Sequence, residues 1–229
     1  MAYTFQIQKV SGYFSVNHKF NRRHLIKAGI NVDAMFYNMQ DSVLEAGHTG
    51  NPASQNWLNR WDYVGSAVLI QPFVQWKWRM TEHMQFTAGL HNQFFTLNNS
   101  FSIAEPRIGW KLNMKNGQAI SAGAGMHSMT QPMYTYFYHQ LDDDGNKMYE
   151  NIDMDFSRSL HTGVGYEKAF KKSLNLKAEA YYQYLYNIPV TVDPSAFSLI
   201  NMGSGFQRFF PEDLENTGSG QNYGVELTL

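Results

Sequence analysis

Apolar and polar side chains change places at every second residue along most of this chain. The clearest run covers residues 26–36. Ile26, Ala28, Ile30, Val32, Ala34 and Phe36 fall on one side, with Lys27, Gly29, Asn31, Asp33 and then Tyr37 on the other. Apolar positions two apart, rather than three and four apart, predict a strand and disfavour a helix. Residues 154–189 repeat the pattern as a hairpin. Leu160, Thr162, Val164 and Tyr166 oppose Ser159, His161, Gly163, Gly165 and Glu167. After the polar turn Ala169-Phe170-Lys171-Lys172-Ser173, a second strand sets Leu176, Ala178, Ala180, Tyr182 and Tyr184 against Lys177, Glu179, Tyr181 and Gln183.

Similar alternation covers residues 3–20, 68–79, 86–94, 104–113, 120–127 and 223–229, giving about nine strands. Pro72 lacks an N–H and marks a local break within its strand. Asn116-Gly117 is a hairpin signal, because both residue types tolerate positive φ. The connections differ at the two ends. Tight turns fall near Arg22, Glu82, Asn116 and Lys172. Long loops are expected at about 40–64, 130–153 and 191–221, with one short connection near Asn99. Short turns at one rim and long loops at the other are the asymmetry of an outer-membrane barrel. Trp76, Trp78, Trp110, Tyr166 and Phe86 lie towards the tight turns, and Phe36, Phe94, Tyr182 and Tyr184 towards the long loops. Two such aromatic girdles match the two interfaces of a bilayer.

Mean hydropathy is −0.42, and no apolar run approaches the roughly 18 residues a spanning helix needs. A barrel strand needs apolar residues only at alternate positions, so low hydropathy and 15% aromatic residues fit together. Eighteen basic against nineteen acidic residues give no electrostatic case for nucleic acid. Without cysteine there is no disulfide framework and no thiolate metal site. The first residues enter strand pattern at once, with no secretory leader, and the last strand ends while still alternating. Together these predict an internal piece of a longer exported protein. The expected fold is all-β: residues 1–229 form one antiparallel transmembrane β-barrel segment, an arc of a larger wall whose edges must be closed in hydrocarbon.

Several stretches carry a family resemblance: Glu105-Pro106-Arg107-Ile108-Gly109-Trp110, Thr130-Gln131-Pro132, residues 159–167, residues 176–182, Asn187-Ile188-Pro189-Val190 and residues 218–226. In that order and spacing, the chain resembles the barrel of TonB-dependent outer-membrane receptors of the Bacteroidetes type. The resemblance implies a barrel of about 22 strands filled by an N-terminal plug domain. It also implies uptake of a large nutrient such as a metal chelate or glycan, driven by TonB, in the outer membrane of a Gram-negative bacterium. Plug, TonB-contacting segment, upstream strands and closing strands are not in this sequence. The implied partners are outer-membrane lipid, the plug and TonB. No cofactor is implied, and no enzymatic activity.

The residues themselves offer few sites. Tyr134, Tyr136, Phe137, Tyr138 and His139 form an aromatic cluster suited to stacking on a ligand, and Tyr134, Tyr136, Tyr138 and His139 are the candidate ligand-binding residues. The plainer reading is strand residues rising above the membrane. Asp142-Asp143-Asp144-Gly145-Asn146 resembles a Ca²⁺ loop but lacks its later positions, including the Glu at the twelfth; a solvated tip is the simpler account. The histidines have no metal-ligand spacing. His91, His127 and His161 face the expected lumen, as do Lys177, Glu179, Glu167, Glu105 and Arg107, which can pair with one another or with a plug. Arg22, Arg23, Lys171 and Lys172 are basic turn residues suited to phosphate but ordinarily solvated. Two alternatives stand beside the receptor. An outer-membrane barrel enzyme would need a Ser-His or Asp-His constellation, and no spacing singles one out. A soluble β-sandwich carbohydrate-binding module would have shorter strands.

Overall fold

A computed structural model of the chain describes residues 2–44, 57–102, 104–170, 174–204 and 212–229. Thirteen strands appear there: β1 (Ala2–Lys19), β2 (His24–Leu44), β3 (Trp57–Arg79), β4 (Met84–His91), β5 (Phe94–Phe95), β6 (Ser100–Phe101), β7 (Glu105–Met114), β8 (Gln118–Met129), β9 (Gln140–Leu141), β10 (Lys147–Met148), β11 (Ser157–Phe170), β12 (Leu174–Thr191) and β13 (Leu214–Thr228). Nine of them follow one another in the order β1-β2-β3-β4-β7-β8-β11-β12-β13, each antiparallel to the next. β5 and β6 form a small flap on β3, and β9 with β10 forms a separate hairpin. The sheet does not close: β1 and β13 each have one neighbour. The fold is the antiparallel wall of a β-barrel segment.

Register makes the two faces continuous across all nine strands. One rung reads His18–Ile26–Trp76–Ala88–Ile108–Ala124–Thr162–Tyr182–Tyr223. The adjacent rung reads Asn17–Lys27–Gln75–Gly89–Arg107–Gly125–His161–Gln183–Asn222. A one-residue slip of any strand would exchange its two sets of side chains, so this pattern pins the register. The mostly apolar face is bare. Ile108 is 53% exposed and Val164 58% exposed. The polar face is the one the long loops fold onto.

β4, β7 and β8 have 8, 10 and 12 residues, near the 9–11 that cross a bilayer. β2 and β3 have 21 and 23 and stand well beyond that length. The expected loop over residues 40–64 is therefore partly strand: β2 runs on to Leu44, β3 begins at Trp57, and residues 45–56 lie outside the described residues. Sequence alternation is lost over these ends, which is why they read as loop. The expected loop over 191–221 likewise yields its end to β13. At the opposite rim the turns are pinned locally. Asn21 Oδ1 accepts from the backbone N–H of Arg23 and His24 at 2.8 and 3.0 Å. Thr81 Oγ1 does the same for His83 and Met84. Asn116 and Gly117 both adopt positive φ, 60° and 67°, as the Asn-Gly signal requires. Lys171 and Lys172 lie outside the described residues.

Candidate functional site

The buried core lies between the upper part of the polar face and the loops. In β2 the residues Asp33, Met35, Tyr37, Met39 and Asp41 are all buried, while Phe36 between them is exposed. Trp61 and Phe137 are fully buried, with Phe95, Tyr136, Met154, Phe156 and Leu214 packed into the same cluster. Phe137 stacks on Tyr63 with ring centroids 3.8 Å apart. Trp61 Nε1 donates to the Tyr134 carbonyl at 2.7 Å. Buried polar groups must be hydrogen-bonded, and asparagines meet that need between loops. Asn98 Nδ2 donates to the carbonyls of Ile152 and Met154. Asn151 donates to the Glu212 carbonyl and accepts from Leu214 N–H.

Beneath the loops a polar network crosses the wall. Glu105 is 1% exposed and accepts from Gln93 Nε2 at 3.0 Å and from Arg107 at 3.1 Å, and lies 2.9 Å from His91 Nδ1. Gln93 also donates to the Ser128 carbonyl. Further along, His161 Nε2 lies 2.8 Å from both Ser159 Oγ and Gln183 Nε2. The His127 ring stands edge-on to His161 at 4.8 Å. Lys177 pairs with Glu179 and Arg107 with Glu105, as expected, whereas Glu167 takes Lys111 as its partner.

Over the β8–β11–β12 wall lies a cavity of about 680 Å³. Its floor is His127, Ser159, His161 and Gln183. Gln131, Pro132 and Tyr134 border it from one loop, and Leu199, Ile200 and Met202 from a 3-10 helix, Leu199–Ser204, after β12.

The four candidate ligand residues fall into two groups. Tyr134 begins beside that cavity, in a short helix α1 (Met133–Tyr136) that follows Pro132. Tyr136 is 1% exposed; its hydroxyl accepts from the Gln131 backbone N–H at 3.1 Å, and burial pushes its pKa up to about 12. Tyr138 is half-buried and bridges to Trp61. His139 is buried, 5.4 Å from the Tyr149 ring, with neither ring nitrogen hydrogen-bonded among the described residues. Burial first, and Lys147 second, hold its pKa below the ordinary histidine value, against a smaller pull from Asp62. The acidic stretch caps the β9–β10 hairpin. Asp142 accepts from the backbone of Asp144 and Asn146 and from the Asn146 side chain, so its carboxylate is spent on the turn. No cluster of three or more His, Cys, Asp or Glu suited to a metal occurs among the described residues. Sequence reading missed Asn98, Asn151 and Trp61 as residues that hold the loops down, and with them Gln131, whose Nε2 donates to the Asp155 carbonyl at 2.7 Å. These partners lie more than 20 residues away in the chain, and no local pattern announces them.

No family model and no curated protein matches the sequence. Solved structures do match in fold. A double mutant of the ferric enterobactin receptor PfeA from Pseudomonas aeruginosa superposes with a TM-score of 0.68 at 14% identity, over 97% of this chain and 33% of that one. The FrpB iron transporter from Neisseria meningitidis, in its apoprotein form, gives 0.64 at 13% identity, over 98% and 34%. The copper transporter OprC gives 0.63 at 12% identity, over 96% and 34%. The chain thus spans about a third of the length of these structures.

Proposed function

We propose that this chain is part of the wall of an outer-membrane receptor that takes up a nutrient in a TonB-dependent manner. The observation that carries the reading is the pair of adjacent rungs crossing all nine strands, one largely apolar and bare and the other polar, with the loops packed on the polar side nearer the long-loop rim. A soluble sandwich would bury the apolar rung. Here it is the exposed one, as lipid contact requires. In hydrocarbon every backbone group needs a partner, so the open edges of β1 and β13 call for further strands. The likeness to iron and copper transporters supports a transport role over an enzymatic one. In this reading residues 1–229 are one barrel domain, the plug meets the network around Glu105 and Arg107, and imported ligand passes the cavity beside Tyr134. Tyr136, Tyr138 and His139 shape that cavity through the loop core.

The chain has no cysteine, so single cysteines report cleanly. Spin labels at Ile108 and Thr162 of the full-length protein in outer membranes should be relaxed by oxygen. Labels at Arg107 and His161 should be relaxed by a water-soluble nickel chelate. The reverse pattern would remove the chain from the membrane. Growth on limiting iron, copper or glycan should identify the nutrient class, and uptake should stop when a protonophore collapses the inner-membrane gradient. Uptake indifferent to the protonophore would overturn the TonB reading.

A further inference from the structure

We infer that the cavity over the β8–β11–β12 wall takes an uncharged amphipathic small molecule, with its apolar body under the loops and a hydrogen-bonding head on the histidine floor. This rests on the receptor reading above and names the class of ligand it would handle. The volume, about 680 Å³, is in the range of small-molecule sites. Upper wall and lid are apolar: Leu185 and Ile188 from β12, with Leu199 and Ile200 from the 3-10 helix. The floor is polar but carries no uncommitted cation. Arg158, which borders the cavity, gives Nη2 to Asp155 at 2.6 Å, and Arg107 below gives its own to Glu105. An anionic chelate would therefore enter without a charge partner, and a desolvated, unpaired charge is costly.

One donor awaits an acceptor. Arg158 Nε is buried with no hydrogen-bond partner among the described residues. Buried donors without partners are rare, and a carbonyl, ether or hydroxyl oxygen on the ligand would satisfy it. The exposed His161 ring, beside Ser159 and Gln183 on the floor, offers a further polar contact. A bare metal ion is disfavoured because both histidines and their neighbours present too few ligands.

The test uses two dyes with one apolar body: N-phenyl-1-naphthylamine, which is neutral, and 8-anilinonaphthalene-1-sulfonate, which is anionic. Each is titrated by fluorescence into the full-length protein in lipid nanodiscs, against empty nanodiscs. The neutral dye should saturate at one site above the empty-disc signal and bind at least roughly tenfold tighter than the sulfonate. Leu199→Asp, in a surface segment that leaves the strands intact, should weaken the neutral dye by a similar factor. Equal binding of the two dyes, or tighter binding of the sulfonate, would overturn the ligand class while leaving protonophore-sensitive uptake untouched. No signal above empty discs, or a neutral-dye affinity unchanged by Leu199→Asp, would overturn the site itself. On the unaltered protein, a neutral alkyl glycoside should displace the neutral dye; failure to compete counts against the proposal.

Discussion

Phe36 and Tyr37 are consecutive residues of β2, yet the first is 49% exposed and the second 2%. The same contrast separates the two faces of the wall where the loops overlie it; further from the loops, polar residues such as Gln75, Arg107 and His161 are open as well. On one face, apolar side chains such as Ile108 and Val164 are open. On the other, Asp33, Asp41, Gln93 and Glu105 are buried beside Trp61 and Phe95 because the loops cover them. Burial within the protein and hydrophobicity have come apart. Their usual coupling holds only where water is the sole solvent. Substitutions on the covered face should therefore act through pairing and packing, and those on the bare face through transfer into lipid.

The strongest test of the covered face is Arg60→Ala. Asp41 is 0% exposed, and Arg60 binds it through Nε at 2.7 Å and Nη2 at 2.5 Å. Removing the guanidinium should cost about 3–5 kcal/mol in urea unfolding of the full-length protein in vesicles. Lys9→Ala breaks a pair with Asp33 in which the lysine is 54% exposed, and should cost no more than about 1 kcal/mol. Equal effects would mean the loops do not seal this face. On the bare face, Val164→Arg should destabilise by about 2–4 kcal/mol near the midplane. Its neighbour Gly163, whose added Cβ would meet nothing nearer than 3.5 Å, should tolerate Gly163→Ser within about 0.5 kcal/mol. If both changes are silent, Val164 does not face lipid.

Smaller effects sharpen the picture of the loops. Tyr136→Phe removes the acceptor for the Gln131 N–H and should cost about 1–3 kcal/mol, seen as faster hydrogen exchange in the 131–139 segment. His139 gives a pH dependence. Its folded pKa lies below the ordinary value, so between the two values the open loop binds more protons than the closed one. Loop protection should then be full above roughly pH 6.5 and fall as the pH drops below it. His139→Phe should flatten that profile, and exchange rates that rise on going to alkaline pH after correction for intrinsic chemistry would contradict it.

The nine-stranded wall was legible because one rule governs it: a strand with two different faces writes that difference into every second residue. Ile26 to Phe36, the Asn116-Gly117 turn and the hairpin from Ser159 to Tyr184 all follow that rule. Where β2 and β3 run on beyond their neighbours the rule lapses, which is why those ends read as loop. The candidate site was legible only as a cluster of aromatics at 134–139. Whether such a ring faces a ligand or the core depends on partners such as Trp61 and Tyr63, more than 70 residues away in the chain, and local composition carries no trace of them.

Strand order in the wall is the same as order along the chain. No strand has to wait for a remote partner before it can pair, so the loop-closure entropy at each step is that of one turn or loop. A wall built this way can be laid down hairpin by hairpin, each new pair templated by the edge before it. Assembly can thus keep pace with delivery of the polypeptide from one direction, with the edge of β1 open throughout and one further edge growing.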